Sequence, residues 1–595
     1  RIETPNLFHL PKKFCQVLLC FVSSMAKKPV KYFVVDAFTD LPFKGNPTAV
    51  CFLEEEEERN HRWLQAVAAE FNISQTCFLT RIADNGTSNP RFRLRWFTPI
   101  TEVKLCGHAT LAAAHTLFST GLVDSDIIEL VTLSGLLTAK RIPAINISSA
   151  SNMQNGEPEG GFYIELDFPA DPITESNFDE TSHVSGALYG ASIIDIRRTQ
   201  VVVTSGENVT EVQPHLDAIV KCPGRGIIVS GIAPPGSGFD FYSRFFCPKF
   251  GINEDPACGT AHCALASYWS KKLGKCDFNA YQASSRGGVF NIHLDEQNQR
   301  VLLSGKAVTV MEGCVLVDAF TESALKGNPA AVCLLEEERE ETWMQGLATE
   351  FNLSETCYLT RIADSDRSDL FSLRWFTPTA EVNLCGHATL ASAHVLFSSG
   401  LVKSNIIEFV TLSGVLTAKK VTGINETGAS EDGFFVELDF PADTVTEFNS
   451  ADISQISVAL NGAPIIHVKR TTVGDDLLVE LASGKAVVEL QPDIAAIAKC
   501  PGEGIVVSGT APPESGFDYY YRAFYPKYGI NEDPVNGGSQ CAMAPYWAKK
   551  LGKCDLSAYA ASPRGGVIHV HFDEQSKRIL MRGKAVIIMD GCVLI

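Results

Sequence analysis

One long sequence occurs twice in this chain of 595 residues. VVDAFTDLPFKGNPTAVC, which starts at Val34, returns as LVDAFTESALKGNPAAVC, which starts at Leu316. LCGHATLAAAHTLFSTGLV, from Leu105, returns as LCGHATLASAHVLFSSGLV, from Leu384, and GINEDPACGTAH returns as GINEDPVNGGSQ. The copies lie about 280 residues apart, whereas stacked repeats are roughly 20 to 50 residues long. The pattern therefore predicts a tandem duplication of an enzyme-sized unit, here called unit one and unit two.

Polar stretches divide each copy into two lobes. NISSASNMQNGEPEGG, at Asn146–Gly161, separates two strand-rich halves of unit one, and a similar stretch at Asn425–Gly433 does so in unit two. The expected boundaries are a disordered or artefactual extension at residues 1–24, unit one at 25–315 with lobes at 25–145 and 160–315, and unit two at 316–595 with lobes at 316–424 and 433–595.

The two copies meet without a linker. Unit one ends on MEGCVLV and unit two opens on VLVDAF, so the same residues fit both descriptions. This overlap predicts one strand that closes unit one and opens unit two. Two interpretations stay open: the units pack rigidly through that strand, or the chain joins the products of two neighbouring genes.

Charge and cysteine content limit the classes of function. A formal net charge of −19 argues against nucleic acid as a partner, because phosphate binding requires a basic surface. None of the 18 cysteines forms a C-x-x-C pair, and the chain is too large to need a disulfide framework. No run approaches the ~18 apolar residues of a membrane span. We therefore expect a cytoplasmic protein with reduced thiols and no membrane partner.

Helical periodicity marks three segments of unit one. NHRWLQAVAAEFN, at Asn60–Asn72, carries apolar residues on one face. The segments Gly107–Leu122 and Gly259–Lys275 are apolar on nearly all sides, which is typical of a helix enclosed by sheet. Strand-type runs surround them, so each unit is predicted to contain two lobes of sheet around a central helix.

Two motifs place a cysteine and a glycine at a helix start: LCGHAT at Leu105–Thr110 and PACGTAH at Pro256–His262. A helix N-terminus offers unpaired N–H groups and a partial positive charge, which suit a carboxylate. Glycine lets a ligand approach the backbone, and the same field lowers the pKa of a cysteine. Two such starts that face each other would hold a small acid between proton-transfer groups. The alternative is that the cysteines are buried structural residues beside tight turns.

The motifs DAF…KGNP, SETCY at Ser354–Tyr358, FTP…E…LCGHAT, NEDPACGTAH and QASSRGG at Gln282–Gly288 resemble the PhzF-like isomerase family of phenazine biosynthesis. They occur in the family's order and cover both units. The resemblance implies the α+β fold of diaminopimelate epimerase, with two pseudo-symmetric lobes of mixed sheet, each wrapped around a central helix, in two tandem units. It also implies an active site between the lobes and no cofactor.

The same resemblance implies roles for individual residues. In the family, a glutamate moves a proton within the substrate, and a histidine, an aspartate and a hydroxyl assist. Carried onto this chain, the catalytic candidates are Glu355, His387 and Asp533 in unit two and His108, Asp255, Cys258, Thr260 and Cys106 in unit one. The substrate-binding candidates are Gln75, Gly107, Gly259, Gly386 and Gln282. No metal site is expected, since His569 and His571 lack a third ligand.

The two units depart from the family pattern in opposite lobes. Unit one carries Gln75 where unit two has Glu355, and glutamine exchanges no proton at neutral pH. Unit two instead changes the second lobe, where Asn536, Gly538 and Gln540 stand for the Cys, Thr and His of unit one.

Three explanations stay open. Cys106 and Cys258 resemble the paired cysteines of diaminopimelate epimerase, so a thiol pair could perform two-base epimerisation. Alternatively, the second lobe of unit one could pack on the first lobe of unit two and combine Asp255 with Glu355 in a composite site. Relaxed selection after duplication is the third explanation, and it leaves one or both sites impaired.

We expect a cofactor-independent isomerase or epimerase that moves a proton on a small carboxylate-bearing metabolite by general acid/base catalysis. The rival interpretation is a catalytically impaired duplicate that binds small acids or acts as a scaffold. A homodimer and an intramolecular pseudo-dimer of the two units are both open.

Overall fold

The computed structural model separates the chain into two compact units, Lys31–Glu312 and Gly313–Val593. Residues 1–24 and most of the two polar stretches predicted between lobes lie outside the described residues. The structure describes residues 30–53, 60–83, 89–143, 161–171, 184–189, 191–197, 200–311, 314–362, 369–422, 433–448 and 453–589.

The first lobe of unit one is a mixed sheet around one apolar helix. Its strands are β1 Lys31–Ala37, β2 Asn46–Leu53, β3 Gln75–Arg81, β4 Arg91–Phe97, β5 Glu102–Val103, β6 Ile127–Thr132, β7 Gly135–Pro143 and β8 Phe162–Pro169, and its helices are α1 His61–Phe71 and α2 Gly107–Ser119. β2 pairs with β3 and β4 pairs with β6 in parallel, while the other pairs are antiparallel. Helix α2 packs against β1, β2, β3 and β8, which explains why its sequence lacks a polar face.

The second lobe of unit one repeats this order of pairings. Its strands are β9 Leu188–Tyr189, β10 Ile193–Arg197, β11 Gln200–Val203, β12 Gln213–Pro214, β13 Ile227–Ile232, β14 Phe241–Cys247, β15 Ile252–Asp255, β16 Asp277–Gln282, β17 Gly288–Asp295, β18 Arg300–Gly305 and β19 Ala307–Met311. Its helices are α3 Gly206–Glu211, α4 Leu216–Lys221 and α5 Gly259–Leu273, with a 3-10 turn at Pro248–Phe250. β11 pairs with β13 and β14 with β16 in parallel, as β2 does with β3 and β4 with β6. Pairing of β18 with β8 and of β19 with β1 joins the two lobes.

Unit two has the same plan. Its strands are β20 Val315–Ala319, β21 Asn328–Leu335, β22 Glu355–Arg361, β23 Leu370–Phe376, β24 Glu381–Val382, β25 Ile406–Thr411, β26 Gly414–Val421, β27 Phe435–Pro441, β28 Val445–Glu447, β29 Ile465–Thr471, β30 Leu477–Leu481, β31 Ile505–Thr510, β32 Tyr519–Tyr525, β33 Ile530–Asp533, β34 Asp555–Ala560, β35 Gly566–Asp573, β36 Arg578–Gly583 and β37 Ala585–Met589. Its helices are α6 Glu341–Phe351, α7 Gly386–Ser398, α8 Ile453–Ala459, α9 Gly484–Glu489, α10 Ile494–Ile497 and α11 Gln540–Leu551, with 3-10 turns at Pro513–Ser515 and Pro526–Tyr528. β27 pairs with β36 and β20 with β37, as in unit one.

The three helices predicted in unit one are confirmed. Helix α1 starts after Asn60, whose side chain accepts a hydrogen bond from the N–H of Trp63, and ends at Asn72 in the left-handed conformation. Helices α2 and α5 start at the predicted glycines, Gly107 and Gly259. No helix in the described part of the chain is long and apolar enough to cross a membrane.

The prediction of one strand shared by both units is wrong. β19 ends at Met311 and β20 starts at Val315, and each strand pairs within its own unit, β19 with β1 and β20 with β37. The sequence overlap arises because both units begin and end on similar apolar strands.

The expectation that all thiols are reduced is also wrong. Cys314 and Cys333 form a disulfide, with their Cα atoms 4.5 Å apart. Cys333 lies on β21, which pairs antiparallel with the adjoining β20. In unit one, Cys51 has Tyr32 opposite it across the same pair of strands and is a free thiol.

Candidate functional site

Two helix starts meet inside unit one. A Cβ atom added to Gly107 would lie 2.7 Å from the Cα of Gly259, and one added to Gly259 would lie 3.0 Å from the Cα of Gly107. Cys106 and Cys258 occupy the N-cap positions, and neither side chain makes a capping hydrogen bond among the described residues. Both helices therefore direct first-turn N–H groups to one place, where those of Ala109 and Ala261 face the thiols of Cys106 and Cys258.

A cavity of about 270 Å³ lies at these helix starts. Gln75, at the start of β3, lines it together with Cys106, His108, Asp255 and Thr260. Gln75 is 5% exposed, and its Oε1 atom has no hydrogen-bond partner in the described part of unit one. A buried polar atom without a partner is costly, so the Gln75 amide oxygen is an acceptor that remains available at the cavity.

Asn46 connects the two lobes below the cavity. Its Nδ2 donates to Oδ1 of Asp255 and to the carbonyl of Ala257, at 3.0 Å, and lies 3.0 Å from Nδ1 of His108. Ser74 donates to Oδ1 of Asn46 at 2.7 Å. The sequence analysis assigns no role to Asn46. The asparagine of KGNP, which begins a buried strand in both units, could have indicated one.

Burial sets the protonation of the acid and the imidazole in unit one. Desolvation raises the pKa of Asp255 to about 6, although hydrogen bonds from Cys258 and Asn46 favour its charged form. Burial lowers the pKa of His108 to about 3, so this histidine is neutral at physiological pH. Asp255 is thus the group in this cleft whose proton affinity suits acid/base chemistry near neutrality.

The expectation that the helix field would favour thiolates is wrong. Burial raises the pKa of the Cys106 thiol and of the Cys258 thiol well above the ordinary value, and the charge of Asp255 raises both further. Desolvation of a charged sulfur outweighs the partial charge of a helix end here. The two cysteines are therefore neutral thiols, and Cys258 lies 3.3 Å from the hydroxyl of Thr260.

Gln282 holds the loop that carries Asp255 and does not face a ligand. It is fully buried, its Oε1 accepts the N–H of Cys258 at 2.8 Å, and its Nε2 donates to the carbonyl of Asp255 at 2.5 Å. The prediction that Gln282 binds substrate is corrected on this ground, because both ends of its amide are occupied. Its role is to position the main chain between β15 and α5.

Unit two carries a fuller set of acid/base groups. Nε2 of His387 lies 3.0 Å from Oε2 of Glu355 and 3.3 Å from the hydroxyl of Ser354. Burial opposes charge on His387, but the charge of Glu355, its hydrogen bond and the charge of Asp533 together raise the His387 pKa above its ordinary value. Burial raises the pKa of Asp533 to about 6, as it does for Asp255. Glu355 and His387 therefore form a close buried ion pair when His387 is protonated, beside a second carboxyl group.

Ligand atoms of Glu355, Cys385 and His387 lie within 4.8 Å of one another, which is a separation that could suit a metal ion. However, Glu355 approaches Nε2 of His387, whereas Cys385 approaches Nδ1 at 3.4 Å. The carboxylate and the thiol therefore approach the imidazole ring at different nitrogens.

The second helix start of unit two is remodelled. Helix α11 begins at Gln540, whereas its counterpart α5 begins at Gly259, which corresponds to Gly537. Asn536, which replaces Cys258, accepts the N–H of Ser539 on its Oδ1 at 2.6 Å and donates to Asp533 at 2.6 Å. Gly386 still contacts the main chain of Gly537. Unit two thus keeps the close approach of two main-chain segments, but at one helix start the side chain of Asn536 accepts a main-chain N–H.

Tyr525 covers part of the cleft of unit two. It replaces Cys247, which lines the cavity of unit one. A Cβ added to Gly504 would lie 2.4 Å from the Tyr525 ring, and the counterpart Gly226 lines the cavity of unit one. The Tyr525 hydroxyl donates to Asp476 at 2.9 Å, and burial raises the pKa of Asp476 to about 7. Residues of unit two therefore occupy space that unit one leaves open.

The described partners of Asp255 and of Asp533 lie within their own units. Asp255 is bonded to Asn46 within unit one, and Asn328 makes the matching bond to Asp533 within unit two. The charges of Glu355 and His387 act on Asp533. Each unit therefore assembles its candidate site from its own two lobes.

Comparison with known proteins places these observations in a family. The chain matches the sequence profile described as phenazine biosynthesis-like protein (PhzC-PhzF) twice, over residues 35–313 and 317–591. The uncharacterized isomerase BH0283 of Halalkalibacterium halodurans is 39% identical over 281 residues, which is 47% of this chain and 97% of the relative. Phenazine biosynthesis-like domain-containing protein 1 of Mus musculus is 38% identical over 302 residues, again 47% of this chain and 97% of the relative. A crystal structure of a PhzF-family protein from Enterococcus faecalis is 35% identical and covers 48% of this chain and 100% of its own, with a TM-score of 0.42.

Proposed function

Because the chain belongs to the phenazine biosynthesis-like (PhzC-PhzF) protein family, we propose that it is an isomerase-type enzyme that moves a proton on a small carboxylate-bearing metabolite. Relatives named as isomerases support the reaction class. The proposal requires no cofactor, since side chains supply the acids and bases of proton transfer.

The substrate carboxylate binds where α2 and α5 start in unit one. The convergence of two uncapped helix starts at the floor of one cavity is the observation on which the proposal rests. N–H groups from both helices donate to the carboxylate oxygens, and the two helix dipoles favour its charge. The unpartnered amide oxygen of Gln75 then accepts a hydrogen bond from a hydroxyl or amine of the same ligand.

Asp255 transfers the proton. Its pKa of about 6 leaves a substantial carboxylate fraction at neutral pH while keeping the acid form accessible. Asn46 fixes one of its oxygens, and His108 is neutral and accepts or donates hydrogen bonds without competing charge. The Cys258 thiol, which is hydrogen-bonded to Asp255, returns a proton to the substrate on the α5 side, and its sulfur takes up in turn the proton that Asp255 has abstracted, so that both groups regain their starting states.

A second candidate function is binding of the acid without turnover. Gln75 favours it, since the position held by Glu355 in unit two has no titratable group in unit one. Loss of a general acid or base lowers a rate by about 10²- to 10⁴-fold. Unit two, with Glu355 and His387 but a satisfied helix start, would then contribute neither binding nor turnover.

Incorporation of deuterium from solvent into candidate acids distinguishes these functions. The proposal expects exchange that survives Glu355→Gln and falls by about 10²-fold or more in Asp255→Asn. Exchange that is lost in Glu355→Gln and kept in Asp255→Asn would move the activity to unit two. Ligand-dependent thermal stabilisation without exchange for any acid would support the binding function.

A further inference from the structure

The cavity of unit one is lined by a cationic side chain, Arg225, as well as by the starts of α2 and α5. Gly224, Arg225 and Gly226 line it on a loop that precedes β13, and Arg225 is exposed to solvent. Among the residues that the structure describes, the Arg225 guanidinium makes no hydrogen bond or ion pair. An arginine in this state has all five donors available for a ligand.

The loop that presents Arg225 is anchored. Nζ of Lys249 donates to the carbonyl of Cys222 and, at 2.8 Å, to that of Gly224. The ammonium group of Lys249 is therefore directed at main-chain oxygens outside the cavity. Gly224 has a φ of 82°, which glycine adopts without the strain that other residues incur. These features fix the main chain next to Arg225 and leave its side chain facing the cleft.

Unit two keeps the loop and reverses the charge. Lys527 donates to the carbonyls of Cys500 and Gly502, as Lys249 does in unit one, and Gly502 has a φ of 79°. The residue that corresponds to Arg225 is Glu503, which accepts a hydrogen bond from Tyr528 at 2.9 Å. The same loop thus carries Arg225, a cation available to a ligand, in unit one and Glu503, a hydrogen-bonded anion, in unit two. The loop conformation therefore does not depend on the charge of this side chain.

Five large apolar side chains also line the cavity. These side chains are Leu105, Ile228, Phe245, Phe250 and Ile252. Asp171 also lines the cavity and would repel an anion or attract an ammonium group. A ligand that satisfies both positive ends carries two anionic groups, joined by a short apolar body.

We propose that Arg225 binds a second anionic group of the ligand, so that unit one selects dicarboxylic acids over monocarboxylic acids of the same length. This inference rests on the proposed binding of a carboxylate at the two helix starts. A guanidinium and a carboxylate pair through two parallel N–H···O bonds, which gives direction as well as charge. Arg225 is a specificity residue in this account, and proton transfer stays with Asp255.

Calorimetric titration of the full chain with matched acids tests the proposal. The probes are succinate, glutarate, adipate and pimelate, each compared with the monocarboxylate of equal carbon number. We expect at least one dicarboxylate to bind about tenfold more tightly than its partner, as a charged hydrogen bond typically gives. Arg225→Gln should reduce that ratio to about threefold or less, because the variant loses the partner of the second carboxylate, which monocarboxylates lack. The matched control, Glu503→Gln in unit two, should leave the ratio as it is.

Two further variants separate the alternatives. Arg225→Glu, which copies unit two, should disfavour dicarboxylates relative to monocarboxylates, and added salt should lower the wild-type ratio. Wild-type protein that binds monocarboxylates without a preference would overturn this inference and leave the proposed function intact. A preference that survives Arg225→Gln, or one that Asp171→Asn removes instead, would also overturn it. If no acid bound at all, both this inference and the proposed function would fail.

Discussion

Gly107 and Gly259 bring the first turns of two helices into direct main-chain contact, so that neither position has room for a methyl group. Each glycine belongs to a different lobe, and the contact brings Cys106 and Cys258 to the same cavity. Convergence of two helix dipoles on one point is unfavourable unless an anion lies there. The contact therefore links the packing of the lobes to the binding of a carboxylate.

The first prediction concerns this contact. Gly107→Ala should lower the free energy of unfolding by about 1–3 kcal/mol, because the new Cβ meets main-chain atoms that cannot rotate away. Gly186→Ala is the control, since a Cβ there meets nothing within 4 Å. Chemical unfolding monitored by circular dichroism measures both. Equal stability of the two variants would mean that the helix starts are not in contact.

The second prediction concerns the cleft of unit two. Tyr525→Phe removes the hydrogen bond to the buried Asp476 and should cost about 1–3 kcal/mol of stability. Burial raises the pKa of Asp476 to about 7, which is above the pKa of this carboxyl group in the unfolded chain. Stability is therefore lost as the pH rises from the unfolded-state pKa through 7, because the folded state must then ionise a desolvated carboxyl group. The stability that Tyr525→Phe removes should therefore be larger at pH 8 than at pH 5. Tyr528→Phe, at a half-buried pair with Glu503, serves as the control, and an identical loss in both variants would contradict the account.

The third prediction concerns the disulfide. Reduction of Cys314–Cys333, which are 19 residues apart, should destabilise unit two by about 3 kcal/mol, the chain-entropy value for a loop of this size. Cys333→Ala should remove the sensitivity to reductant. Cys51→Ala in unit one changes a buried free thiol at the matching position, and it should leave the effect of reductant unchanged. Calorimetric scans with and without reductant that coincide for the wild-type protein would argue against the bond.

The fourth prediction concerns pH. Isotope exchange in an Asp533→Asn background should rise as the pH increases through about 6, because Asp255 abstracts a proton only in its carboxylate form and burial raises its pKa to that value. Asp255→Asn should flatten the profile in the same background. A rate that instead rises only well above pH 8 would assign the base to Cys106 or Cys258, whose thiols have raised pKa values.

Much of the fold could be predicted from the sequence. Apolar periodicity located α1, and uniformly apolar segments located α2 and α5, because a helix enclosed by sheet needs no polar face. The repeat predicted two units of one fold. The prediction for the junction between the units is wrong because β19 and β20 are short apolar strands with similar sequences. Only their different partners, β1 and β37, show that they are two strands.

The chemistry of the site was harder to predict. The CGHAT and ACGTAH motifs indicated that helix starts meet, but the protonation of Cys106 and Cys258 depends on burial, which the sequence does not state. Helix α11 starts later than its counterpart α5 because the side chain of Asn536 accepts a hydrogen bond from the N–H of Ser539. Alignment of the two repeats does not reveal this hydrogen bond. The family resemblance assigns Gln282 to the substrate, whereas its contacts with the main chain appear only in three dimensions.

A crystal structure of the full chain with an acid that it binds tests the central claim most directly. The account predicts carboxylate oxygens at hydrogen-bond distance from first-turn N–H groups of both α2 and α5 in unit one, with Gln75 Oε1 on the same ligand. An acid held beside Glu355 in unit two, or outside the cleft of unit one, would contradict it.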